Sequence, residues 1–94
     1  MSYLPLVRLA DGVAGRVVPA SGEGVLWLHG YALDSSSFSP LIERLPGWRH
    51  LAVDLPGHGA SLPWPREPGS PRFVERLAEI ARQHQVRHLV ALSY

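Results

Sequence analysis

Residues 88–94, His88-Leu-Val-Ala-Leu-Ser93-Tyr94, form a short apolar run that ends at a hydroxyl side chain. A short apolar run of this kind predicts a strand of a parallel sheet. Parallel strands present functional side chains at the carboxyl edge of the sheet, and Ser93 follows the run at that point. The sequence therefore predicts a strand over 88–92 that delivers Ser93 to this edge.

Earlier segments supply further strands. The apolar runs 25–28 and 51–53 predict two more buried strands. The short apolar segments 4–9 and 15–18 flank Asp11-Gly12, a dipeptide that favours positive φ, and so predict an N-terminal β-hairpin.

Two segments have the spacing of amphipathic helices. The apolar face of the first consists of Phe38, Leu41, Ile42 and Leu45. Pro40 lacks an N–H, so we expect the cap of this helix at Ser37 or Ser39. The second helix begins at Ser70-Pro71, and its apolar face consists of Phe73, Val74, Leu77, Ile80 and Ala81. A hairpin followed by β-α-β-α-β predicts an α/β fold with a mainly parallel sheet, in a single domain over 1–94.

Composition narrows the classes of function. A formal charge of +1 gives no electrostatic basis for binding nucleic acid or an anionic membrane, and no apolar run approaches the ~18 residues of a membrane span. The absence of cysteine excludes disulfides and thiolate chemistry, and with no leader we expect a cytoplasmic protein. Five scattered histidines predict no metal site, and we expect no cofactor, because the glycines at 57 and 59 lack the third glycine of a dinucleotide loop.

Three motifs occur in an order that points to a known family. They are Leu28-His29-Gly30, Asp54-Leu-Pro-Gly-His-Gly-Ala-Ser61 and Ala91-Leu-Ser93-Tyr94, each directly after a predicted strand. In order and spacing the chain resembles the α/β-hydrolase superfamily of serine hydrolases and esterases. The resemblance covers essentially all 94 residues and implies the N-terminal part of that fold, up to its nucleophile turn.

The resemblance implies roles for individual residues. Ser93 takes the position of the nucleophile, although Ala91 stands where the family motif has glycine. The backbone N–H groups of Tyr31 and Tyr94 take the positions of the oxyanion-hole donors. The expected structural residues of the motifs are His29, Gly30, Asp54, Gly57, His58 and Gly59. Asp34 and the serines 35–37 are assigned either to capping or to lining a pocket.

The expected function is that of a serine hydrolase acting on a small carboxylic ester or a related acyl substrate. The triad histidine and its acidic partner would lie beyond residue 94, so we expect the domain to be incomplete and the 94-residue chain alone to be inactive. Two alternatives stay open, a non-catalytic binding protein and an acyltransferase of the same fold. The exposed fifth strand is expected to pair with another chain or with the missing C-terminal part.

Overall fold

A computed structural model of the chain shows a five-stranded sheet flanked by helices. The structure describes residues 5–92 except 11, 56 and 62–70, with only the backbone of 71–73. The strands are β1 (Leu6–Ala10), β2 (Val13–Val18), β3 (Gly24–Leu28), β4 (Arg49–Val53) and β5 (Val86–Ala91). A 3₁₀ turn (Ser35–Phe38) leads into α1 (Ser39–Glu43), and α2 is Pro71–Gln83. Neither helix within these residues has the length and apolar character that crossing a membrane requires.

The strand order is β1-β2-β4-β3-β5, which places β3 between β4 and β5. Both of these neighbours run parallel to β3, while β1 pairs with β2 and β2 with β4 in the antiparallel sense. The predicted hairpin, the buried strands at 25–28 and 51–53 and the α/β class are therefore confirmed. The strand predicted over 88–92 is also present, as β5, but its side chains are mostly exposed. The cap expected at Ser70 lies outside the described residues.

The sheet separates two apolar cores because successive side chains of a strand point to opposite faces. The core beneath α1 consists of Val25, Trp27, Phe38, Ile42 and Ala52. The core beneath α2 consists of Val13, Leu26, Leu51, Val53 and Ile80. Strands β3 and β4 contribute to both cores, which explains why their sequences are apolar runs without alternation.

A buried hydrogen-bonded chain joins the first core to the end of α1. The indole N–H of Trp27 donates to Nδ1 of His50 at 3.0 Å, so the ring proton of His50 is on Nε2. That nitrogen lies 2.9 Å from the carbonyl oxygen of Leu45 and donates to it. Both polar atoms of the imidazole are therefore satisfied within the core.

Both predicted helical faces are only partly buried. In the first, Phe38 and Ile42 are buried, but Leu41 and Leu45 are exposed, because the 3₁₀ turn changes the angular spacing before a helix of five residues. In the second predicted helix, Ile80 is 1% exposed, but Val74 is 57% exposed. The prediction that Val74 lies on the buried face of this helix is therefore wrong. Helix α2 leaves β5 uncovered, and an apolar groove of about 340 Å³ opens between them, with Val74 and Leu89 on its walls.

Candidate active site

The carboxyl ends of β3 and β5 lie side by side. The amide of Leu92 donates to the carbonyl oxygen of Leu28 at 3.0 Å, which extends the parallel pairing one residue beyond β5. The next residue along β3 is His29, the first of the expected oxyanion segment. Ser93 and Tyr94 lie outside the described residues, so their assignments as nucleophile and oxyanion donor stay predictions.

A tight turn follows β3 at this edge. The amide of Leu33 donates to the carbonyl oxygen of Gly30 at 3.2 Å, with Tyr31 and Ala32 at the middle positions. Ala32 has a φ of 66°, a left-handed conformation that costs a non-glycine residue about 1–2 kcal/mol. Tyr31 is 70% exposed at the outside of the turn. Contacts elsewhere in the structure must therefore hold this backbone in place.

His29 is one of those contacts. Its side chain is 1% exposed, and its Nε2 accepts the amide N–H of Leu55 at 2.9 Å. The ring proton is consequently on Nδ1, which donates to the carbonyl oxygen of Gly30 at 2.8 Å. The imidazole thus joins the turn after β3 to the turn after β4, and neither nitrogen is left to accept a proton from a substrate or a nucleophile.

Asp54 is a second contact between the two turns and is also 1% exposed. Its Oδ1 accepts the amide of Ser35 at 2.7 Å, at the start of the 3₁₀ turn, and its Oδ2 accepts the amide of Ala60 at 2.9 Å. Hydrogen bonds to an ionised carboxylate are stronger than those between neutral groups. One buried side chain therefore holds two loops on opposite sides of the β4 end.

The glycines of the loop after β4 allow it to wrap around this carboxylate. Gly57 and Gly59 have φ values of 73° and 52°. A Cβ on Gly59 would lie 2.4–2.6 Å from the carboxyl atoms of Asp54, whereas one on Gly57 would meet nothing within 4 Å. Between them, the ring of His58 lies 5.0 Å from that of His29 and 5.8 Å from that of Tyr31, centroid to centroid.

The sequence patterns did not single out two residues of this cluster. Arg16 of β2 is 8% exposed, and its Nε donates to Oγ of Ser35 at 3.1 Å. The hydroxyl of Ser61 donates to the carbonyl oxygen of Asp54 and accepts the amide of Ala14 at 2.9 Å. The position of Arg16 in the predicted strand 15–18 could have indicated such a contact, because a charged side chain in a buried strand requires hydrogen-bond partners.

Asp34 caps the 3₁₀ turn, so the expectation of a cap at Ser37 or Ser39 is wrong. Its carboxylate accepts the amide of Ser36 at 2.8 Å, and the hydroxyl of Ser37 accepts the amide of Asp34 in return. The 3₁₀ turn begins at Ser35, four residues before α1. Pro40 lies in the first turn of α1, where its missing N–H interrupts no helical hydrogen bond. The hydrogen bond from the Ser36 hydroxyl is the main cause that lowers the pKa of Asp34, against the opposing effect of burial.

We expect Asp34→Ala to lower the free energy of unfolding by about 1 kcal/mol at neutral pH, while Asp34→Asn, an equally good cap, changes it little. Because the folded pKa of Asp34 is lowered, its ionic contribution is present above the unfolded value of about 3.9 and is lost as pH falls through the folded value. Urea unfolding at pH 7 and near pH 3 should thus show that the free energy of unfolding decreases less between these pH values for Asp34→Asn than for the wild type. Equal decreases in the two proteins would contradict this role.

A second region with ligand-sized space lies away from this edge. A cavity of about 660 Å³ opens at the amino ends of β3, β4 and β5, where Arg49 already donates to the carbonyl oxygens of Gly22, His84 and Gln85. His88 bonds Glu23 at 2.8 Å in the same region and lowers the pKa of that carboxyl. Across the described residues, no three His, Asp or Glu side chains are grouped to hold a metal ion.

Solved structures reproduce this arrangement of strands and turns. An α/β superfamily hydrolase from Oenococcus oeni aligns with 97% of the chain at a TM-score of 0.73 and 26% identity. An esterase of Mycobacterium tuberculosis aligns with 97% of the chain at a TM-score of 0.72 and 31% identity. The chain therefore has the fold of the N-terminal portion of α/β-hydrolases. The N-terminal portion of the α/β-hydrolase fold that the motifs implied is therefore confirmed.

Several curated proteins match shorter parts of the chain. A serine hydrolase-like protein of Danio rerio is 50% identical over 44 residues, which are 46% of the chain and 14% of that protein. A pimeloyl-[acyl-carrier protein] methyl ester esterase of Xanthomonas campestris is 51% identical over 41 residues, 43% of the chain and 16% of the relative. No protein-family model matches the chain.

The fold alone does not determine the reaction. The bottromycin epimerase BotH also aligns with 94% of the chain, at a TM-score of 0.69 and 26% identity. In addition, the chain spans only 36% of the Oenococcus hydrolase, 32% of the Mycobacterium esterase and 37% of BotH. The reaction must be argued from the side chains and backbone groups at the carboxyl edge.

Proposed function

We propose that the protein is a serine hydrolase that cleaves a small carboxylic ester or a related acyl substrate. Ser93 is the nucleophile, and the amide N–H groups of Tyr31 and Tyr94 stabilise the negative oxygen of the tetrahedral intermediate. The similarity to a serine hydrolase-like protein and to esterases supports this class of reaction.

The observation that carries the proposal is the hydrogen bond from Leu92 to Leu28. It holds the residue before Ser93 beside the residue before His29. A nucleophile and an oxyanion donor must both reach one carbonyl group, and strands β5 and β3 bring the two chain segments to a common edge. The turn around Tyr31 follows within three residues of Leu28.

The chemistry is acyl transfer in two steps. The Ser93 oxygen bonds to the ester carbonyl carbon, a histidine takes the serine proton, and the same histidine returns it to the departing alcohol. Water then attacks the acyl-serine with the histidine again as base, which releases the acid and restores the hydroxyl. Each oxyanion donor contributes about 3 kcal/mol of transition-state stabilisation in enzymes of this kind.

We propose that the catalytic histidine is none of the five histidines in the 94 residues. The ring nitrogens of His29 and His50 are both engaged, and His84 and His88 lie toward the amino ends of the strands, at the opposite end of β5 from Leu92. His58 is assigned a structural role, in which its ring packs against those of His29 and Tyr31. The 94 residues alone are therefore expected not to turn over an ester.

The proposed substrate class is tested first with p-nitrophenyl esters and with an acyl methyl ester. The methyl ester is chosen because the Xanthomonas relative is named a methyl ester esterase. An acyltransferase would use the same first step, but an alcohol or amine would replace water in the second.

The decisive experiment treats the full-length protein with a fluorophosphonate probe, which reacts with activated serines, and maps the adduct by mass spectrometry. We expect one adduct, on the peptide that contains Ser93, and no adduct after heat denaturation. An adduct on another serine would overturn the site assignment. No adduct and no ester turnover would instead favour the non-catalytic binding protein.

A further inference from the structure

We propose that Asp54 is a positioning residue that sets the place of the oxyanion segment relative to the sheet. The inference rests on the proposed function, because it concerns how the Tyr31 amide is held where negative charge develops. Asp54 itself is buried and touches the substrate at no point of the mechanism. Its effect passes through the backbone that it binds.

The two carboxylate oxygens of Asp54 have different partners on different loops. Oδ1 holds the amide of Ser35, four residues after Tyr31, and Oδ2 holds the amide of Ala60. A buried carboxylate is costly unless its oxygens are hydrogen-bonded, so separation of either loop from Asp54 is penalised. The Asp54 side chain consequently constrains the spacing between the two loops.

A second connection begins at the neighbouring residue. The amide of Leu55 binds Nε2 of His29, whose Nδ1 binds the carbonyl oxygen of Gly30. The imidazole thus holds the first residue of the turn that presents Tyr31, and the carboxylate holds Ser35, two residues after its last. Both connections start at the end of β4, so this strand end determines where the Tyr31 amide lies.

Small displacements of this amide matter for catalysis. An oxyanion donor must lie within about 2.7–3.1 Å of the developing oxyanion, and a misplacement of about 1 Å in an active site can cost about 100-fold in rate. Ground-state binding depends much less on this contact. Loss of the Asp54 connection should therefore lower kcat more than it raises KM.

Asp54→Asn in the full-length protein tests this inference. The amide side chain has nearly the same size, but its NH₂ group meets a backbone N–H where the carboxylate accepts one. We expect kcat for a p-nitrophenyl ester to fall about 10- to 100-fold, with KM within about threefold of the wild type. The rate of fluorophosphonate labelling should fall in parallel with kcat.

Ser61→Ala is the matched control, because its hydroxyl also bonds the backbone of Asp54 in the buried cluster, while its other described hydrogen bond goes to Ala14 of β2 and not to the oxyanion segment. Both variants should lose stability, and only Asp54→Asn should lose kcat. If Asp54→Asn is recovered unfolded, Ser35→Pro replaces it, with Ser35→Ala as its control. Relative to alanine, proline removes the N–H that Oδ1 accepts and puts its ring Cδ in that place, so the carboxylate can no longer hold this backbone, and the extended φ of −154° at Asp34 suits a residue before proline.

The outcomes separate two kinds of failure. A wild-type protein without turnover or labelling would overturn the proposed function, and the inference with it. A wild type that turns over, together with an Asp54→Asn variant whose kcat matches that of Ser61→Ala, would overturn the inference alone. Equal kcat values in Ser35→Pro and Ser35→Ala would overturn it in the same way.

Discussion

Replacement of Ser93 by alanine is expected to lower kcat of the full-length protein on a p-nitrophenyl ester by about 10⁴-fold or more. The hydroxyl oxygen forms the bond to the acyl carbon, and alanine has no atom that can replace it. Residual turnover would come from the oxyanion donors and substrate binding, which in serine hydrolases leave about 10³-fold catalysis over water. Steady-state kinetics with active-site titration of the wild type measure the loss.

The matched control is Ser21→Ala, which makes the same change at an exposed serine in the loop before β3, at the opposite end of the sheet. Its kcat should equal that of the wild type. Thermal unfolding should show that both variants remain folded, so that lost activity is not lost structure. If Ser93→Ala kept more than about a tenth of the wild-type activity, a different nucleophile would be required.

The second large effect is expected on stability, from Gly59→Ala. An alanine at a φ of 52° costs about 1–2 kcal/mol, and its Cβ would lie within 2.6 Å of the Asp54 carboxyl atoms. That carboxylate cannot withdraw without losing the amides of Ser35 and Ala60. We therefore expect the free energy of unfolding to fall by about 3–5 kcal/mol, measured by urea denaturation of the full-length protein.

Gly57→Ala separates the cost of the positive φ from the cost of the contact with the Asp54 carboxylate. Gly57 has a similar φ of 73° in the same loop, but its Cβ would meet nothing within 4 Å. It should therefore show only the backbone cost of about 1–2 kcal/mol. Similar losses for both variants would mean that the Asp54 carboxylate moves away freely, and the close packing of the loop around it would then have no energetic weight.

The strands of the fold could be predicted from the sequence because burial on two faces leaves a clear mark. The runs at 25–28 and 51–53 are apolar throughout, and β3 and β4 are found at these positions. The faces of the helices were less predictable. Val74 has the spacing of a core residue, but which strands a helix covers depends on where the chain crosses the sheet, and α2 leaves β5 uncovered.

Local sequence patterns predicted some features of the candidate site but not its contacts between distant segments. The motifs indicated that His29 and Asp54 belong to turns after strands, because glycine and histidine at fixed offsets are local signals. They gave no indication that Arg16 would donate to Ser35, since the two residues come from different elements 19 positions apart. Contacts between distant segments depend on the register of the sheet, which no local pattern contains.

The connections around Asp54 also bear on the order of folding. They join segments that are distant along the chain, at sequence separations of 47 for Ala14 and Ser61 and 19 for Ser35 and Asp54. Closing such loops costs chain entropy before any contact is gained, so we expect contacts of this kind to form after local ones. The pairing of β3 with β4, which joins Gly24 to Arg49, is also non-local. We therefore expect the turn around Tyr31 to reach its final shape together with this pairing, once a nascent chain contains β4 and the loop that follows it.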